Sequence, residues 1–176
     1  MGSQKMDPLV YMFRPLIWVA AAGLAASVVV HVSCLLGLPQ PFGRAAWALH
    51  IGVFVVWMPA VIVARRLSSG AKQADFWKAV LRGCPAWMRG VLYVLGAYAL
   101  INFFAGIALK PDTEADNFRI FSGHWMLFYF AGMIILYSAD RLGSLGPRTC
   151  PQGHEVSPFA KFCDQCGSQV PPLRVA

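Results

Sequence analysis

The chain has 176 residues, of which 57% are hydrophobic and only 13% charged, with a formal net charge of +7. Soluble domains run at about 45–50% apolar and about 25% charged, so these totals exclude an ordinary water-soluble core and point to a bilayer as solvent. The positive charge does not signal nucleic acid, because the basic residues concentrate between hydrophobic stretches, as they do in cytoplasmic loops.

Residues 1–15 form a short polar lead with Lys5 and Arg14. No charge interrupts Leu16 to Gly43, and as a helix residues 16–38 reach about 35 Å, enough to cross the hydrocarbon. The run is too long for a signal peptide, and no small-x-small cleavage site precedes a soluble domain. His31 also spoils the lipoprotein pattern before Cys34, where an aliphatic residue is needed. Pro39 and Pro41 close this first span. The second covers residues 45–64, with Pro59 as an internal kink, and Arg65 and Arg66 stop it.

The loop over residues 65–89 carries Arg65, Arg66, Lys72, Lys78, Arg82 and Arg89 against one acid, Asp75. Within it, Ala74 to Arg82 reads as an amphipathic helix, with Phe76, Trp77, Val80 and Leu81 on one face and Lys78 and Arg82 on the other. Such a piece is expected either to lie flat at the inner headgroup surface or to act as an ordinary linker helix. The third span, residues 90–109, leads into an acidic loop holding Asp112, Glu114 and Asp116. The fourth covers residues 120–139, with Ser122 as a candidate cap, and Asp140 and Arg141 end it. Residues 142–149 link this 16–141 membrane domain to the tail, residues 150–176.

Positive-inside bias places the 65–89 loop in the cytoplasm and the acidic loop outside, so four crossings put both termini in the cytoplasm. The tail supports the same orientation. It carries Cys150-Pro-Gln-Gly-His154 and Cys163-Asp-Gln-Cys166-Gly167, two ligand pairs of Cys-x3-His and Cys-x2-Cys spacing. Tetrahedral Zn²⁺ takes four such ligands, and Gly153 and Gly167 sit where the two tight turns need positive φ. Thiolate ligands must stay reduced, which again selects the cytoplasm. Cys34 and Cys84 remain over and suggest no secreted disulfide framework.

His31, His50, His124 and Asn102 fall inside the spans, each roughly 6–10 Å below the outer end of its helix at 1.5 Å per residue. Small residues share their faces: Gly23 and Ser27 with His31, Ala99 and Gly106 with Asn102, Ala131 and Gly132 with His124. Faces of this kind are where membrane helices meet, so the polar groups are expected to point into the bundle toward one another. Three readings stay open. The groups tie helices together by hydrogen bonds, or two histidines hold a b-type haem, or the layer forms a transition-metal site fed by Asp112, Glu114 and Asp116.

The tail resembles the short zinc ribbons appended to bacterial membrane and regulatory proteins, on the strength of Cys150-Pro-x-Gly-His154 and Phe162-Cys-x-x-Cys-Gly167. The resemblance implies a structural Zn held by Cys150, His154, Cys163 and Cys166, with no open position for catalysis. No Gly-x-Ser-x-Gly, phosphate loop, His-Glu-x-x-His or intramembrane carboxylate pair appears, so an enzyme is not expected. The sequence therefore reads as an all-α inner-membrane protein of four transmembrane helices with a small C-terminal zinc ribbon. Its expected role is as an accessory, scaffolding or regulatory subunit of a larger membrane complex, or a homo-oligomer, meeting a protein partner through the ribbon or the 65–89 loop. The alternative is a small redox or transport protein using the histidine layer. No nucleic-acid partner is expected.

Overall fold

The computed structural model describes residues 8–68, 72–109, 113–143, 148–156 and 160–171. Residues 1–7 of the polar lead, Asp112, residues 144–147 of the linker and the last five residues lie outside the described residues, and residues 8–15 of the expected lead are already part of the first helix. In chain order the elements are α1 (Pro8–Leu35), a 3₁₀ turn (Gly43–Trp47), α2 (Ala48–Leu67), a second 3₁₀ turn (Gln73–Asp75), α3 (Phe76–Val80), α4 (Ala86–Ala108) and α5 (Glu114–Gly143). Two short strands follow, β1 (Arg148–Thr149) and β2 (Glu155–Val156). Among the described residues, α1, α2, α4 and α5 are long and apolar enough to cross a membrane. The protein is thus a four-span, all-α membrane protein with a small appended tail.

Two helix ends differ from the sequence expectation for identifiable reasons. α1 stops at Leu35, before the prolines, because Gly37 turns left-handed at φ 64 and Leu36 N–H and Leu38 N–H donate to Val32 O and Ser33 O. Glycine adopts that conformation without the Cβ clash other residues meet. α5 begins at Glu114, well before Ser122. Thr113 Oγ1 accepts the Asp116 backbone N–H at 3.1 Å, and Asp116 Oδ2 accepts the Thr113 N–H at 3.3 Å and its hydroxyl at 2.7 Å. This reciprocal pair satisfies orphan donors of the first turn. Ser122 is no cap: it is fully buried two turns inside the helix, and its hydroxyl donates to Arg119 O at 3.2 Å.

The bundle is built around α5. Two thirds of its most apolar 18-residue window is buried inside the protein, against 28% for α1 and α2 and 17% for α4. Paired residues give the directions. Arg14 with Asp140, Gly23 with Tyr129 and His31 with Ser122 make α1 antiparallel to α5. Gly106 with Ile120, Asn102 with Gly123 and Gly96 with Leu127 make α4 antiparallel to it. His50 with Trp125 and Val56 with Gly132 make α2 parallel.

Hydrophobicity alone cannot hold these helices together, since lipid is as apolar as leucine; close packing through small residues does so instead. Tyr129 is the main knob. Its ring fills the space left by Gly23 on α1, its tip fills the space at Gly52 on α2, and its hydroxyl donates to Leu49 O at 2.8 Å. Val56 fills the space at Gly132, where a Cβ would come within 2.6 Å of Val56 Cγ1.

The loop helix departs from its expected form. α3 has five residues, and Val80 with the following Leu81 is buried in the protein, leaving Trp77 42% exposed. The cause lies just downstream. Gly83 N–H donates to Ser138 Oγ at 3.0 Å, and the Cys84 thiol donates to Ile134 O at 3.2 Å, which staples the segment to the end of α5.

Candidate metal centre

The tail brings its four ligand residues together through two tight turns. In the first, Gly153 N–H donates to Cys150 O at 2.9 Å and Cys150 N–H to His154 O at 2.9 Å, at the tip of the β1–β2 pair. In the second, Gly167 N–H donates to Cys163 O at 2.8 Å and Cys163 N–H to Ser168 O at 2.9 Å, beside a bridge between Phe162 and Gln169. Gly153 (φ 86) and Gly167 (φ 69) take the left-handed conformation that both turns require. Each turn thereby presents two side chains on one side.

The ligand atoms Cys150 Sγ, His154 Nδ1, Cys163 Sγ and Cys166 Sγ all lie within 4.8 Å of one another. Cys150 Sγ stands 3.7 Å from Cys166 Sγ and 3.6 Å from His154 Nδ1, and Cys163 Sγ stands 3.7 Å from His154 Nδ1. Bond lengths of about 2.3 Å to sulfur and 2.0–2.1 Å to nitrogen give tetrahedral edges of about 3.8 Å between sulfurs and about 3.6 Å from sulfur to nitrogen. These three separations match those edges and the other three stay within 4.8 Å, so the cluster is able to bind a metal ion. With Nδ1 turned inward, the ring proton belongs on Nε2, facing away from the ligand atoms.

The surroundings treat two of the sulfurs in opposite ways. The Ser168 hydroxyl and then its backbone N–H hold the Cys166 thiol down at about 6. Burial pushes the Cys163 thiol up instead, against the opposing pull of the Cys166 and Gln165 backbone N–H groups. Ser168 was not anticipated from the sequence; its position two residues after Cys166 is the one available signal. Around this cluster, Val156 and Val170 are buried together with Cys150 and Cys163, and Ala160 packs against them. So small an apolar core does not fold a segment alone, and an ion bound by the quartet would supply free energy toward it.

The membrane histidines are arranged differently. His31 is buried, with Nδ1 2.8 Å from Ser122 Oγ and Nε2 bonded to the Tyr98 hydroxyl. Because the Ser122 hydroxyl donates onward to Arg119 O, it accepts from His31 Nδ1–H, and Tyr98 O–H therefore donates to Nε2. The resulting chain runs from α4 through α1 to α5 and engages both ring nitrogens. Asn102 Nδ2 donates to Arg119 O at 3.0 Å and to Ile120 O at 3.2 Å.

His50 Nδ1 accepts from Trp125 Nε1 at 3.0 Å, which puts the neutral ring's proton on Nε2. His124 Nδ1 faces Ile120 O at 3.3 Å, so there the proton sits on Nδ1. These two rings line a common groove of about 200 Å³ with Phe54, Trp57 and Phe128. One presents a donor to it and the other an acceptor. His31, His50 and Asn102 thus bond to partners on α5, and His31 also to Tyr98 on α4, whereas His124 bonds within α5 itself. Asp112 lies outside the described residues, Glu114 pairs with Arg44 at 3.7 Å, and Asp116 belongs to the α5 cap. Among the described residues, the only group of three or more His, Cys, Asp or Glu side chains placed to share an ion is the tail quartet.

Compared with protein-family models, with curated proteins and with solved structures, the chain matches none.

Proposed function

We propose that the chain is an accessory or regulatory subunit of a bacterial inner-membrane complex, with both termini in the cytoplasm and a structural zinc ribbon as its interaction module. The observation that carries this reading is the closed ligand set. Three thiolates and one imidazole at tetrahedral separations fill the coordination sphere of Zn²⁺, leaving no position for water or substrate. Two β-turn knuckles, each carrying two ligands on a short antiparallel pairing, support the ribbon fold. A closed site organises a surface and does no chemistry, which suits a docking or regulatory role.

The loop of residues 65–89 offers a second docking element, and its basic character supports placing it on the cytoplasmic side. His31, His50 and Asn102 act in this reading as interhelical ties, because their hydrogen bonds join α1, α2 and α4 to α5, while His124 bonds to Ile120 O within α5 and packs its ring against Phe103 of α4. The test is proximity labelling from the native C-terminus, paired with a Cys163→Ser/Cys166→Ser chain. The wild type should enrich a defined set of membrane-complex subunits, which the double variant loses while remaining helical and in the membrane. Identical labelling by both chains would remove the ribbon from the interaction.

A further inference from the structure

We infer that the cleft between α2 and α4 is a binding site for one anionic glycerophospholipid, on the membrane side that carries the basic loop. α2 and α4 pack on α5 from different directions and leave a groove of about 360 Å³ between them, within the range of ligand sites. Its walls are apolar, and Gly96, Ala97 and Ala131 keep its floor low enough for an acyl chain. Trp57, Tyr93 and Trp77 also line it, with Trp77 supplied by α3 at the basic end.

Charge at that mouth selects the headgroup. On α4, Arg89 lies one turn below Tyr93 on the stripe that continues through Gly96 and Ala97. On α2, Arg65 lies two turns along from Trp57, on the same side of its helix. Both arginines are exposed and neither forms an ion pair among the described residues, whereas neighbouring Lys78 is held by Asp75 at 3.1 Å. Two unpaired guanidiniums flank the entrance to an acyl-sized groove, and a phosphate between them with a chain along α5 satisfies both features together. A second copy of the chain would meet the same two cations with its own, which the charge disfavours.

Native mass spectrometry of the full-length protein, purified in detergent and equilibrated with equal amounts of phosphatidylglycerol and phosphatidylcholine of the same chain length, tests this. One retained lipid per chain is expected, with a preference for phosphatidylglycerol of about thirty-fold from two cations near the headgroup. Arg65→Gln or Arg89→Gln should each reduce the preference to about five-fold, and the Arg65→Lys/Arg89→Lys pair should keep most of it. Gly96→Leu should abolish retention with both arginines intact. A Cβ at Gly96 meets only Leu127 Cδ1, at 4.0 Å, so the new side chain enters the groove without a clash. Ala97→Leu provides a second filler should Gly96→Leu fail to fold, with helical circular dichroism as the control. Equal retention of both lipids, or retention unaffected by groove filling, would overturn the assignment. So would a lipid-free dimer cross-linked at residue 97.

Discussion

Replacing Gly23 by Ala should loosen the membrane bundle at the Tyr129 junction. A Cβ at Gly23 would overlap Tyr129 Cε1 and stand 2.5 Å from Cζ and 2.7 Å from Cδ1, where carbons normally keep about 3.5–4.0 Å. The ring cannot step aside, because it is 2% exposed and held at its far end by Gly52 and the bond to Leu49 O. α1 must therefore move away from α5 by about 1 Å, at the cost of about 1–3 kcal/mol usual for overpacking. Tyr129→Phe keeps the ring and loses only the interhelical hydrogen bond, about 0.6–1.7 kcal/mol. In a Tyr129→Ala background the Gly23→Ala cost should vanish, since the new methyl then occupies vacated space. Reversible unfolding in mixed micelles, followed by helicity, gives all four free energies of the cycle. A cost for Gly23→Ala that is the same with and without the Tyr129 ring would refute the knob-and-notch reasoning.

The other predictions concern the tail and the staple beneath the bundle. Cys163→Ser/Cys166→Ser should disorder the tail and leave the spans folded, read as lost tail resonances with unchanged helical circular dichroism; loss of the helical signal would contradict the two-module division. Ser168→Ala removes the hydroxyl that holds the Cys166 thiol at about 6, so its pKa rises toward the ordinary value near 9. Protons then compete better with metal at neutral pH, and apparent zinc affinity at pH 7 should fall by about tenfold for each unit by which the thiol pKa comes to exceed 7. The difference should close above pH 9, where both thiols are ionised, and a gap persisting there would point to lost geometry instead. Ser138→Ala should free the Gly83 N–H and speed its amide exchange, because the donor at 3.0 Å from Ser138 Oγ then has no side-chain partner.

The spans and the ligand quartet were legible because each depends on local chemistry. An uncharged run of bilayer length has few alternatives to a membrane helix, and Cys-x3-His with Cys-x2-Cys fits tight turns whatever surrounds them. The central place of α5 was not legible in the same way, since a helix facing lipid and a helix facing other helices can both be apolar all round. The available clue was its lower mean hydropathy, with Ser122, His124 and Ser138 spaced along it. Small residues correctly marked α1's contact face at Gly23, Ser27 and His31, all buried. They did not reveal what each polar group would bond. Tyr98 and Ser122 sit on different helices from His31, and only the packing of α1, α4 and α5 brings the three together. The cap at Thr113 was readable as Thr-x-x-Asp, but it lies in a polar loop where hydropathy draws no boundary.

Metal content and X-ray absorption of the purified full-length chain test the central claim most directly. One zinc per chain is expected, with three sulfur neighbours at about 2.3 Å and one nitrogen at about 2.0–2.1 Å, lost on Cys163→Ser/Cys166→Ser. A chain folded in the tail without zinc, an oxygen or open position in the zinc shell, or a second metal that survives the double substitution would contradict it.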